Sequence, residues 1–323
     1  SLIGGKPYTS YLSGGLDSST VTLLANPVEC FSGFYEEEGY SEMDYIESVL
    51  EKSNKIKNYV PVKITEQKFY QFIRMLPRIL PDPSCGLGVI PQVIVAEKAA
   101  DKGYEYAFTG EGGDEIFLGY NWNTVIFALA DAARGLLRDR YMVRYEPMIN
   151  KVLCDGLATF TGGLLCRGND LLYSTGRILD FWDKSEPVEN NILRINLKVG
   201  LPAILSADER VGYFAGVMPV SPLMDHKIVE YVCSIKPQER ASIPKGIFRE
   251  AVKGILPEKV RMRFDKMGFP VPYDKWKWPM LQSAMKSLKK RGIISLDDSK
   301  HVTMDRKTWA LFNIESWLSY YLK

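Results

Sequence analysis

Over its first 120 residues the chain alternates short β-prone runs with single helical segments, and this alternation limits the fold more than any other feature. The strand-like runs fall at 8–12, 28–34, 57–62 and 106–109. Helical patterns at 16–24, 41–52, 66–75 and 92–102 separate or follow them, and a loop rich in Pro and Gly occupies 77–91. In the second helix Ser41 is the expected cap, and Met43, Ile46, Val49 and Leu50 make the apolar stripe. Strands spaced by single helices predict a parallel sheet with helices on its faces. In such sheets ligands bind beyond the carboxyl ends of the strands.

Past residue 120 the pattern turns mostly helical, and strands are not evident. Residues 226–235 place Ile228, Val229, Val232 and Ile235 on one face. Residues 246–256 do the same with Ile247, Phe248, Ala251, Val252, Ile255 and Leu256, before Pro257 stops the helix. The basic run 286–291 reads as a solvated face or a helix end. The expected fold class is therefore α/β. A parallel-sheet part at 1–120 is followed by a mostly helical part at 121–323, the two packed as one domain.

Composition narrows the function. With 46% hydrophobic and 25% charged residues the chain can bury a core without disulfides. Lys+Arg number 41 against 39 Asp+Glu, so the net charge of +2 gives no electrostatic reason to expect nucleic acid or a membrane surface. The longest apolar run, 125–133, is too short to span a bilayer and contains Asp131. Cys30, Cys85, Cys154, Cys166 and Cys233 form no CxxC pair, and only His226 and His301 could join them. That disfavours zinc and fits buried, reduced thiols in a cytoplasmic protein. Neither histidine has the context of a Ser-His-Asp hydrolase.

Two glycine-rich segments carry the chemistry. The first, SGGLDSS at 13–19, joins a strand to a helix. Gly14 and Gly15 allow close approach of backbone to a ligand, the helix start presents N–H groups, and Ser13, Ser18 and Ser19 add hydroxyls. The product is an anion cradle suited to phosphate. The lysine of a GxxxxGK[ST] loop is absent, and Asp17 sits inside the cradle instead. A carboxylate beside a polyphosphate calls for a divalent cation between them, which suggests Mg²⁺ on Asp17. On spacing alone, an ordinary helix start after a glycine turn satisfies the same pattern. The second segment, TGEGGDE at 109–115, follows the strand-like run 106–109 and so should emerge at the same edge. Glu111, Asp114 and Glu115 crowd three negative charges into five residues, for which a second magnesium carboxylate at Asp114 is an economical explanation. An exposed acidic turn is the alternative.

The first segment resembles the PP-loop of the ATP pyrophosphatases. With TGEGGDEIFLGY after it, the chain is similar to the synthetase domain of the asparagine synthetase B family, taken without an N-terminal glutaminase domain. The resemblance extends to Phe31–Ser32–Gly33–Phe34 where the family lines its adenine site, and to Asp82–Pro83. It continues through Pro222–Leu223–Met224–Asp225, Lys245 to Arg249, Arg263 to Pro270, and the closing stretch from Trp309 to Trp317. It implies a PP-loop core and an Mg·ATP-dependent, AMP-forming amide ligase. Leu12, Ser13, Gly14, Gly15, Asp17, Ser18, Ser19, Ser32, Gly33, Gly110, Lys245 and Lys266 would hold ATP and pyrophosphate. Asp17 and Asp114 would hold Mg²⁺. Lys266, Glu111, Lys245 and Glu209 would serve catalysis, Lys266 as the cation near the α-phosphate and Glu111 close to the nucleophile.

The resemblance is broken in one place. Laid on the family pattern without a gap, Glu209 and Arg210 keep its start and Pro222 to Asp225 its end, but a Glu-x-Arg pair becomes Met218–Pro219–Val220. The acid is then a small-molecule or peptide carboxylate, with aspartate as the default. An intramolecular cyclase or specialised amide synthetase on a larger acid is the nearest alternative. A tRNA-modifying PP-loop enzyme and an inactive nucleotide-binding scaffold are more distant. The nitrogen source stays open among free ammonia, a separate glutaminase subunit and an amine of the substrate itself, and no oligomeric state is legible.

Overall fold

The computed structural model describes residues 4–53, 55–83, 86–120, 123, 126–127, 180–265, 268–295 and 302–322. Five strands, β1 (Tyr8–Tyr11), β2 (Glu29–Phe34), β3 (Asn58–Lys63), β4 (Tyr106–Phe108) and β5 (Met218–Val220), form one sheet in the order β3-β2-β1-β4-β5. Every pairing is parallel, with Ser10 of β1 opposite Cys30 on one side and Phe108 on the other. Between the strands run α1 (Leu16–Ala25), α2 (Met43–Lys52), α3 (Glu66–Ile73), α4 (Leu76–Ile79) and α5 (Val89–Ala100), and α6 (Gly113–Ile116) follows β4. This is the expected α/β PP-loop architecture.

The fifth strand lies in the mostly helical second half, where no strand is evident in the sequence. It has three residues and contains Pro219, so no strand pattern marks it. Met218 donates its N–H to Glu105 O at 2.8 Å, and Val220 O accepts from Thr109 N–H at 2.8 Å, so both face β4. Pro219 therefore faces away from β4, where its missing N–H costs no ladder bond.

Smaller corrections have local causes. The loop expected at 77–91 contains α4 and the start of α5, and Pro91 sits in the first turn of α5, where no intrahelical N–H is needed. Glu42, not Ser41, holds the N-cap position of α2, although the Ser41 hydroxyl accepts from Met43 N–H at 3.3 Å. The helix expected over 246–256 is Gly246–Ala251, ended by a turn in which Gly254 takes φ +79°, and Ile255 is consequently exposed. In the helix His226–Ser234 Val232 is buried, as its stripe predicts. The basic run closes the helix Pro279–Lys290, with Lys289 and Lys290 in its last turn.

The chain forms two compact units that do not follow chain order. One comprises Ser1–Gly110, Ser206–Val220 and Gly254–Lys323, the other Glu111–Leu205 and Ser221–Lys253. The first holds the sheet and a core around Phe31, Ile64, Phe69, Ile90 and Ile94, joined by Trp309 and Phe312 of the helix Arg306–Tyr321. The second has its own cluster of Leu118, Phe127, Ile192, Leu193 and Ala241. Cys30 is buried in the first unit, and burial pushes its thiol up to about 12. Cys233 is exposed, against expectation, while Cys85, Cys154 and Cys166 lie outside the described residues. No helix among the described residues is long and apolar enough to cross a membrane.

Candidate functional site

The chain lays β2 and β3 on one side of β1 and then returns to place β4 on the other. The strand order thus reverses between β1 and β4, and the crevice of such a sheet opens beyond their carboxyl ends. Both glycine-rich segments leave the sheet there. Leu12 is buried and anchors the first segment by donating its N–H to Phe31 O at 2.8 Å. Gly14 adopts φ +72°, and a Cβ at that position would lie 2.9 Å from Tyr45 Cβ, so only glycine fits the turn. Gly15 caps α1 without a side-chain hydrogen bond. The hydroxyls of Ser13 and Ser18 share a hydrogen bond of 2.8 Å, and Ser18 Oγ accepts from Ser13 N–H at 3.1 Å. Asp17 and Ser19 are buried, and Ser19 Oγ has no hydrogen-bond partner among the described residues. Gly110, just past β4, sits against this helix start. A Cβ on it would stand 2.6 Å from Ser18 N and 2.9 Å from the Asp17 carbonyl carbon.

Ser32 and Gly33 follow on β2 and, by strand alternation, address opposite faces. The Ser32 hydroxyl bonds to the Tyr59 hydroxyl, which also contacts Met43 Sδ at 3.3 Å. Gly33 is overlaid by Ile64, Phe269 and Val95, at 2.6, 2.9 and 3.1 Å from the position of a Cβ. Sequence reasoning gave no role to Arg263, yet its buried guanidinium meets the first loop. It donates to Gly14 O at 3.2 Å and to Glu42 and Asp265, and lies 3.7 Å from the centre of the Tyr45 ring. Burial pushes the Asp265 carboxyl up, but hydrogen bonds from Tyr45 and Arg263 outweigh it and hold the group below its ordinary value. No local pattern signals this cluster, because Arg263 and Asp265 lie more than 200 residues along the chain from Gly14, Glu42 and Tyr45. Glu209 is exposed on the helix Leu201–Ala215, whereas its neighbour Asp208 is buried. Lys266 lies outside the described residues.

In the second unit the structure brings Asp114 and Lys245 together. Lys245 Nζ stands 2.6 Å from Asp114 Oδ1, with the two side chains 5% and 24% exposed. Gly119 makes room for the pair, since a Cβ there would lie 2.1 Å from Lys245 Cε and 2.2 Å from Asp114 Oδ1. Lys245 caps the helix Gly246–Ala251 in a left-handed conformation, φ +57°, and its N–H donates to Phe117 O at 3.1 Å. Glu111 is half-buried in the turn before α6. Glu115, the third acid of the cluster, turns inward: it is 2% exposed and accepts a hydrogen bond from the Tyr120 hydroxyl.

Burial raises the Glu115 carboxyl above its ordinary 4.5, against the pull of Tyr120. The folded state then holds a proton that the unfolded chain has released. Its stabilising effect is complete below the ordinary value and disappears as pH rises through the raised one. Glu115→Gln keeps the acceptor for Tyr120 and removes the titration. The melting temperature of E115Q relative to wild type is therefore expected to be higher at pH 7.5 than at pH 4.5. Parallel pH profiles for the two proteins would reject this assignment.

These residues suit Mg·ATP by the chemistry of their donors. In the first unit hydroxyls, a helix start capped by a glycine and a glycine-lined cradle match phosphate, the Ser19 hydroxyl is buried without a hydrogen-bond partner among the described residues, and Asp17 offers hard oxygen; in the second unit Asp114 offers hard oxygen of its own.

Comparison with known proteins bears on the whole chain. The family model described as asparagine synthase matches residues 1–313. Asparagine synthetase [glutamine-hydrolyzing] 1 of Bacillus subtilis is 28% identical over 313 residues, covering 84% of this chain and 47% of that protein. Asparagine synthetase [glutamine-hydrolyzing] 3 of the same organism is 24% identical over 336 residues, 95% of this chain and 51% of the relative. The chain spans about half the length of these two curated relatives.

Proposed function

Because the chain belongs to the asparagine synthase family, we propose that it is an Mg·ATP-dependent, AMP-forming amide ligase. The observation that carries this reading is the seating of Gly110 against Asp17 and Ser18, which joins the two glycine-rich segments at the strand-order reversal. A carboxylate resists nucleophiles because of its charge and its poor leaving group. Attack of the carboxylate oxygen on the α-phosphorus of ATP makes the acyl-adenylate and expels pyrophosphate. An amine or ammonia then attacks the acyl carbon, releasing AMP and leaving the amide.

Catalysis of this kind is positioning and electrostatics. Ser13, Ser18, Ser19 and the backbone of Gly14, Gly15 and Gly110 cradle the phosphates, and Leu12, Ser32 and Gly33 border the nucleoside. Asp17 and Asp114 would hold Mg²⁺, which supplies charge neutralisation for the departing diphosphate. Lys266 acts as a compact cation at the α-phosphate and Lys245 as a second phosphate contact. Glu111 stands near the nucleophile, and Glu209 closes the list of candidates.

Aspartate is the default acid, since the two Bacillus relatives are asparagine synthetases by name. The apolar Met218–Pro219–Val220, which forms β5 where a Glu-x-Arg pair is expected, favours a second reading in which the acid is larger. Nitrogen comes from ammonia, a glutaminase partner or the substrate's own amine. A panel of carboxylic acids with Mg·ATP, with and without ammonia, tests the proposal. Acid-dependent AMP and pyrophosphate are expected, and ADP with phosphate would overturn it. Lys266→Met is expected to fold and to lose AMP formation by about 100-fold or more. A folded K266M with normal AMP output would remove Lys266 from the mechanism.

A further inference from the structure

We propose that Arg263 is a positioning residue for the phosphate loop, setting the orientation of the peptide between Gly14 and Gly15 from outside the nucleotide site. The inference rests on the reading of that loop as a phosphate cradle. In a trans peptide the C=O and the N–H point in opposite directions. Arg263 Nη1 donates to Gly14 O at 3.2 Å. Holding that carbonyl fixes where the Gly15 N–H points, and Gly15 is the residue that opens α1. Gly14 has φ +72° and no side chain to fix its conformation, and the N–H side of the same peptide has only a long bond within the loop, Gly15 N–H to Ser13 Oγ at 3.4 Å, so the carbonyl side is the firmer hold.

The guanidinium is itself held on every side. Its Nη2 meets Glu42 Oε1 at 2.6 Å and its Nε meets Asp265 Oδ1 at 3.1 Å. The Tyr45 ring lies beneath it at 3.7 Å, and the Tyr45 hydroxyl donates to Asp265 Oδ2 at 3.0 Å. Lys259 covers the same ring, with Nζ 5.2 Å from the centroid. Two carboxylates more than offset the charge of Arg263, and its side chain is only 3% exposed. It is therefore built to orient the loop and not to attract phosphate from solution. A planar fork that bonds a carbonyl and two carboxylates at once is specific to arginine.

Arg263→Met and Arg263→Lys would be titrated with Mg·ATP and with adenosine, beside wild type, by calorimetry. Mg·ATP binding is expected to weaken about tenfold or more in both, the scale of one charge-assisted hydrogen bond. Adenosine, which has no phosphate, is expected to bind within about twofold of wild type, whereas general damage to the fold would weaken both ligands together. If R263M fails to fold, R263K, which keeps the charge, decides alone. Variants that bind Mg·ATP as wild type does, or that lose both ligands equally, overturn the role of Arg263. A wild-type protein that binds no Mg·ATP overturns the proposed function, and this inference with it.

Discussion

Gly110→Ala is expected to reduce AMP formation by about 100-fold or more in a protein that still folds, because the added methyl group has nowhere to go. Its carbon would sit 2.6 Å from Ser18 N and 2.9 Å from both the carbonyl carbon and Cβ of Asp17. The nearest of these are backbone atoms, which cannot rotate away as a side-chain tip can. The helix start is fixed by Ser19 N–H donating to Gly15 O at 3.0 Å, and the strand before Gly110 by Thr109 N–H donating to Val220 O at 2.8 Å. Relief must come from separating the two loops. Overpacking of this kind costs about 1–3 kcal/mol in stability. The larger effect falls on rate, since a misplacement near 1 Å in a site built for alignment costs about two orders of magnitude. Gly86→Ala is the control, because nothing lies within 4 Å of its Cβ position and its φ is not left-handed. Melting curves and AMP yields of the two variants check the expectation. Equal AMP yields from folded G110A and wild type would mean that the contact between the loops does not matter for turnover.

What the sequence shows about this molecule follows the range of the interactions involved. Strands β1 to β4 are legible because each lies in a short β-prone run set off by a turn or a helical pattern, and that signal is local. β5 is not, because three residues containing Pro219 become a strand only by pairing with β4. The phosphate loop is legible down to Gly14, whose left-handed turn leaves a glycine in the sequence as its mark. Arg263 is a motif residue without an evident task until the fold sets it beside Gly14, 249 positions earlier. Glu115 looks like one more acid in a cluster, and only its burial separates it from Asp114. Ile255 follows the helical stripe correctly but falls outside the helix, which ends at Ala251. For β5 and Arg263 the deciding partner is distant in sequence, whereas the early end of the helix before Ile255 is local, set by the left-handed turn at Gly254.

Lys245→Met tests the Asp114–Lys245 pair of the second unit through stability, with no substrate needed. Methionine matches the length of the lysine stem and shares its backbone strain at φ +57°, so the change removes the ammonium and keeps the packing of the stem. Taking one partner from a fully buried ion pair costs about 3–5 kcal/mol, and because the Asp114 side chain is 24% exposed the expected loss is nearer 2–3 kcal/mol. Asp114→Asn should also destabilise, since it leaves the Lys245 ammonium buried against a neutral amide. The double variant should cost less than the sum of the two, by about 1–3 kcal/mol, because neither charge is then left behind. Urea unfolding of the four proteins measures that coupling, and additivity within about 0.5 kcal/mol would show the pair to be energetically idle. The pairing has a physical reason on the function proposed above. A half-buried carboxylate placed to bind a cation is stabilised by a nearby positive charge, and the ammonium of Lys245, 2.6 Å distant, supplies one. The absence of a side chain at Gly119 is what lets the two groups meet, so the glycine belongs to this electrostatic arrangement as much as the charges do.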